Sequence, residues 1–277
     1  MRSMMLSIDI ISGLVSIFQY PFMQHAFESG TIIAIVAGIM GYLVILRRTA
    51  FAAHAYAEIG FAGAAGSVLA GINPLYGLLG GSMLGGMAIS ALGNRASHRD
   101  IEIGSVLAFA LGLGLLFISL YSGYATEAYS ILFGQILGIS ATNVIITLVV
   151  SLVILAIAAI VYKPILFASL DEDVAEAKGM HTVLLGAIFM LLLAAAVSIA
   201  IQVSGVLLIF ALMVTPAATA IRLTKKPTYA IAISVLIALL ATWSGLIIAS
   251  YEPYPVSFFI TTIGFALYLF VRLAKSR

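Results

Sequence analysis

The sequence contains no cysteine, so disulfides, thiolate metal sites and cysteine nucleophiles are all excluded. Charge is nearly as scarce. Asp, Glu, Lys and Arg make up 9% of the residues, where a soluble domain carries about 25%. No Gly-x-x-x-x-Gly-Lys-Ser/Thr segment occurs, so the chain has no phosphate loop with which to hold ATP. His-Glu-x-x-His and Gly-x-Ser-x-Gly are missing too, which removes the common hydrolase signatures. No polar stretch is long enough to form a soluble domain. What remains is apolar: hydrophobic residues make up 63% and the mean hydropathy is +1.19. Surface scales too slowly with size for a soluble fold to hide that much apolar area. The solvent around most of this chain is therefore lipid.

Apolar runs separated by short polar breaks predict an all-α, polytopic membrane bundle. About nine spans are expected, or eight if one is re-entrant: 31–46, 51–70, 75–92, 103–121, 143–162, 183–201, 205–221, 229–250 and 256–272. Residues 1–277 read as a single transmembrane domain. Met4–Phe18 is short, interrupted by Asp9 and followed by no small-residue cleavage site, so residues 1–25 are expected to lie in the interface. Every basic residue except Arg2 follows an odd-numbered span: Arg47 and Arg48, Arg95 and Arg99, Lys163 and Lys178, Arg222, Lys225 and Lys226, then Arg272, Lys275 and Arg277. The positive-inside rule places those breaks and the C-terminus in the cytoplasm. The opposite face carries Glu28, Glu127 and Glu252. Ala128–Ser140 is too short to span and reads as a short outer helix or re-entrant turn. Gly81 and Gly85, with Gly80 and Gly86 beside them, form a small-residue face suited to close helix packing in lipid. Pro216 falls inside a span, where it serves as a structural kink or a moving gate.

Ionisable groups within a span are costly and mark pathways by default. One mid-span stretch holds two of them: Phe51-Ala-Ala-His54-Ala-Tyr56-Ala-Glu58-Ile-Gly60. His54 and Glu58, four apart, share a helix face. An imidazole nitrogen and a carboxylate oxygen suit a borderline divalent ion such as Zn(II), Mn(II) or Fe(II). Two ligands bind weakly, as a pathway requires. The alternative is a local ion pair that neutralises itself and fixes packing. A second informative stretch is the break at 163–182. Its Ser169 and Glu172 have capping-box spacing, Asp171, Glu172 and Asp173 precede Ala175, and Gly179 is a natural stop. A short helix off the membrane is expected there, as a docking element for a cytoplasmic partner or as a solvated amphipathic turn.

Several motifs in order carry a family resemblance over about residues 21–250. They are Phe22-Met-Gln-His-Ala-Phe27, Leu46-Arg-Arg-Thr-Ala-Phe51, Asp100-Ile-Glu-Ile-Gly104, Leu132-Phe-Gly-Gln-Ile-Leu-Gly138, Asp171 through Gly179, Gln202-Val-Ser-Gly-Val-Leu-Leu208 and Thr215-Pro-Ala-Ala-Thr-Ala220. Together they resemble the zinc/manganese/iron ABC-transporter permease family. The resemblance implies a large-type importer core in the bacterial plasma (inner) membrane, paired as a homodimer or pseudo-dimer. It also implies separate cytoplasmic ATP-binding subunits docking at the 171–179 coupling helix, and an extracytoplasmic metal-binding protein. ATP would be held by the partner and the metal would be substrate; the chain itself would bind no cofactor and catalyse nothing. No nucleic-acid partner is expected. After Ala-Phe the family reads Gly-Asp-Ala-Leu-Ser-His-Ala, whereas this chain reads Ala53-His-Ala-Tyr-Ala-Glu-Ile59. One nitrogen and one carboxylate ligand are kept at the same spacing, with their order exchanged and Asp lengthened to Glu. The rival readings are a metal-chelate importer, an ion-coupled secondary transporter or channel, and a non-transporting scaffold.

Overall fold

In the computed structural model, residues 18–92, 99–121, 138–252 and 254–275 are described, and they form ten α-helices. In chain order these are α1 (Pro21–Leu46), α2 (Ala50–Leu69), α3 (Pro74–Leu92), α4 (Arg99–Leu120), α5 (Ala141–Leu170), α6 (Glu172–Ala177), α7 (Thr182–Ser204), α8 (Val206–Leu223), α9 (Pro227–Tyr251) and α10 (Val256–Ala274). Among the described residues there is no strand. Residues 1–17, most of the expected interfacial segment, lie outside the described residues, as do Arg95, Glu127 and residues 128–137 of the expected outer turn. Residues 21–25 of that interfacial segment instead open α1, whose helix begins well before the predicted span.

Each of the nine predicted segments matches one of these helices to within one residue, and among the described residues six helices are long and apolar enough to cross a membrane by themselves: α1, α4, α5, α7, α9 and α10. Length and composition thus bear out six crossings and do not confirm the expected nine. In α2, alanine, glycine, His54 and Glu58 replace many large aliphatics. For α2 the reason is packing, since it lies enclosed by neighbouring helices rather than presented to lipid.

The bundle is organised around α1 and α7. Helix α1 packs on α9, α8, α5 and α7, while α7 also meets α3, α2, α8 and α6. Helix α2 packs chiefly on α3 and α4 and further on α7 and α8. Small residues make the close approaches possible, because lipid tails supply no hydrophobic drive for helix association. A Cβ on Gly63 of α2 would fall on the Gly77 carbonyl oxygen of α3 and 2.9 Å from the Gly81 Cα. Gly85 receives the side chain of Ile59 in the same seam. The expected small-residue face is therefore real at Gly81 and Gly85. Gly80 points elsewhere, since a Cβ there would meet nothing within 4 Å. The sole tryptophan, Trp243, joins α9 to α1 by donating its indole N–H to Thr31 Oγ1 at 2.9 Å.

Basic residues make several of the contacts between helix ends. At one end the Arg47 guanidinium lies 5.1 Å above the Phe189 ring, bringing the α1–α2 turn to the start of α7. Lys275 Nζ donates to the carbonyls of Arg222 at 2.7 Å and Leu223 at 3.0 Å. The end of α10 therefore closes the exposed carbonyls at the end of α8. At the opposite end His25 Nδ1 is 3.1 Å from the Ile139 carbonyl, tying the start of α1 to the entry of α5.

Candidate functional site

His54 and Glu58 sit one turn apart in the first half of α2, and both are half-buried although their immediate neighbours Ala53, Ala55, Tyr56, Ala57 and Ile59 are buried. The alanines and glycines of α2 keep this helix narrow, so α3, α4, α7 and α8 close around it. Tyr56, between the pair, is the largest fully buried side chain among the described residues. Its backbone carbonyl accepts a hydrogen bond from the buried Ser82 hydroxyl of α3 at 3.0 Å. That contact fixes the rotation of α3 against α2 directly beside the ionisable pair. Ser82 was not singled out from the sequence. Its signal was a lone hydroxyl in Gly80-Gly-Ser-Met-Leu-Gly-Gly86, a stripe otherwise built of small and apolar residues. Ser82→Ala should lower stability by about 0.6–1.7 kcal/mol, the range of interhelical hydrogen bonds in membranes, and a thermal melt in detergent reads that loss.

Among the described residues, no group of three or more His, Asp or Glu side chains converges as a metal cage. The pair therefore offers one nitrogen and one carboxylate. Further ligands to a passing ion would come from water, backbone carbonyls or a second chain. Such a partial coordination sphere suits transit better than storage.

The second site lies at the basic end of the bundle. Helix α5 does not stop at Tyr162 as predicted; it runs through Pro164 to Leu170. Ser169 consequently belongs to that helix and donates to the Ile165 carbonyl at 2.5 Å, so it does not cap α6. Asp171 does so instead, accepting from the Val174 N–H at 3.0 Å. Glu172 and Asp173 follow in the first turn, where carboxylates meet the positive end of the helix. Gly179, at φ +79°, ends α6: its N–H reaches the Glu176 carbonyl at 2.8 Å and the Met180 N–H reaches the Ala175 carbonyl at 3.1 Å. These two bonds make a Schellman stop. Ala175 is fully buried, Lys178 lies 4.8 Å over the Phe167 ring, and Thr182 donates to Glu176 Oε1 at 2.5 Å. The short helix is thus held to α5 on one side and α7 on the other.

Pro216 is buried within α8, which stays helical from Val206 to Leu223. The break in this region is at Gly205 instead, whose φ of +78° separates α7 from α8.

The model of the ABC 3 transport family matches residues 19–275. The manganese transport system membrane protein MntC of Listeria monocytogenes is 31% identical over 214 residues, 77% of this chain and 76% of that protein. The manganese import system permease protein ScaB of Streptococcus gordonii is 32% identical over 219 residues, 79% of this chain and 77% of that protein. Among solved structures, PsaBC from Streptococcus pneumoniae in complex with Fab superposes with a TM-score of 0.85 at 28% identity, covering 95% of each chain. An inward-facing metal-chelate type ABC transporter shares the fold, with a TM-score of 0.74 at 14% identity. A family match across nearly the whole length, on a helical membrane fold shared with a solved relative, makes this chain a member of the ABC 3 transport family.

Proposed function

We propose that the chain is the permease subunit of an ATP-driven importer for a divalent transition metal ion, with Mn(II) the first candidate. The observation that carries this reading is the His54–Glu58 pair, held half-buried on a helix enclosed by four others. Names borne by the relatives, MntC and ScaB among them, favour manganese over zinc and iron. Membership of an ABC transport family argues against a secondary transporter, a channel or a scaffold.

In this reading residues 1–277 form one multi-pass domain in the bacterial plasma membrane, with nine crossings and a cytoplasmic C-terminus. Two copies pair, and an extracytoplasmic metal-binding protein delivers the ion to the outer mouth. The ion passes His54 and Glu58, with neutral imidazole and carboxylate as its transient ligands. The chain hydrolyses nothing. Separate cytoplasmic ATPase subunits dock on the segment from Asp171 through Glu172, Asp173 and Ala175 to Gly179 and move α6, and the clamp to α5 and α7 carries the motion into the bundle. A bias between outward and inward states must come from such a partner, because only a differential interaction shifts an equilibrium. Pro216 deprives α8 of one backbone hydrogen bond and lets it bend during that change.

Ala175→Arg tests the docking role. It forces a charged side chain into the buried contact between α6 and its clamps, so co-purification with the ATPase and metal-limited growth should both fall more than about tenfold, for a cost of roughly 1.4 kcal/mol or above. An Ala175→Arg chain that keeps its ATPase and its transport would remove α6 from the mechanism.

A further inference from the structure

Helices α5 and α9 both pack on α1 while making little contact with each other. The trough between them holds a cavity of about 350 Å³. Ile39 and Leu43 of α1 form its floor, Leu155, Ala158 and Ala159 one wall, and Ile231 the other. Its two polar lining residues, Tyr162 and Thr228, stand at one end. Lys163 follows Tyr162 directly, and Lys225 and Lys226 precede Thr228; all three lysines are exposed. The chain segments that carry them hold no acid, since none lies between Glu127 and Asp171 or between Glu176 and Glu252. The carboxylates of α6 begin eight residues beyond Lys163, about 12 Å along the chain at helical rise and outside a Debye length of ~8 Å at physiological salt.

We infer that this trough is a binding site for an anionic phospholipid, with an acyl chain along Ile39, Leu43 and Ala158 and the phosphate held by Lys163, Lys225 and Lys226. Charge complementarity selects an anionic headgroup, since lysines at a membrane surface attract acidic lipids. A lipid seated there would bridge α5, which leads into α6, and α9. The assignment to the cytoplasmic leaflet rests on the orientation proposed above; binding itself does not depend on it.

Native mass spectrometry of the purified permease, titrated with phosphatidylglycerol or phosphatidylcholine, tests the site on the unaltered chain. One phosphatidylglycerol should be retained at least about tenfold more tightly than phosphatidylcholine. A Lys163→Gln/Lys225→Gln/Lys226→Gln variant should lose that retention on the order of a hundredfold, from about fivefold per lysine. Lys178→Gln, an equal loss of charge elsewhere on the same end, should change nothing. Ala159→Trp, at an exposed wall position, should fill the trough and weaken both lipids. Equal retention of the two lipids overturns the proposal. So does phosphatidylglycerol retention that survives both the triple lysine variant and Ala159→Trp. A permease dimer that Ala159→Trp dissociates would assign the trough to a second copy and overturn it too.

Discussion

Gly63→Leu should abolish recovery of a monodisperse permease, while Gly80→Leu should leave it intact. At Gly63 even a methyl group falls on the backbone of α3, at the Gly77 carbonyl, with the Gly81 Cα close behind. Backbone cannot rotate aside as a side chain can, so α2 and α3 must separate. Overpacking a core against movable side chains costs about 1–3 kcal/mol, and a clash with backbone exceeds that range. Separation would also break the Ser82–Tyr56 contact and loosen the helix bearing His54 and Glu58. Gly80 is exposed, and a Cβ there meets nothing within 4 Å. Gel filtration in detergent followed by a thermal melt separates the two: an early, broad elution for Gly63→Leu, and a melting temperature within a few degrees of wild type for Gly80→Leu. Equal behaviour of the two variants would show that the glycine seam does not hold the bundle together.

The His54→Ala/Glu58→Ala double variant should fold normally and fail to transport. The physical reason is a difference in what each state needs. A half-buried imidazole and carboxylate within the bundle cost solvation free energy that offsets what their contacts contribute, so removing both should change stability little. A transiting ion, by contrast, loses one nitrogen and one anionic ligand in a place where no third such side chain stands by among the described residues. Outer-shell partners of metal sites already cost 10–100-fold in affinity or activity when removed, so loss of two direct ligands should exceed about tenfold. Growth in metal-depleted medium, normalised to membrane protein level, reads the effect. Glu58→Gln alone should be intermediate, since it keeps shape and an oxygen but not the charge. If the pair were an ion pair fixing helix packing, the double variant would instead fall in protein level while each remaining molecule transported normally.

Much of this architecture is legible in the sequence, and the misreadings have identifiable causes. The helices are found because lipid demands long apolar segments, and the alternating basic breaks give their order. The end of α5 is misread because Lys163-Pro164 has the appearance of a stop. A proline inside a helix removes one hydrogen bond, and a helix leaving the membrane can continue past it where water or a neighbour meets the freed carbonyl. Ser169 and Asp171 both have the chemistry of a cap, and only the position at which α5 ends decides for Asp171. His54 and Glu58 stand out by spacing alone. That α3, α4, α7 and α8 enclose them does not, because pairing of helices distant in sequence depends on the whole bundle at once. Ser82 is missed for the same reason: its acceptor, the Tyr56 carbonyl, belongs to another helix.

The most direct test of the central claim is metal uptake into proteoliposomes holding this chain with or without its ATPase partner, with metal-binding protein and Mn(II) on one side and ATP on the other. The account predicts Mn(II) accumulation that requires both the ATPase and ATP and that the His54→Ala/Glu58→Ala variant cannot support. Accumulation by the chain alone down an ion gradient would contradict it. So would the absence of ATP-driven uptake of Mn(II), Zn(II) and Fe(II) alike.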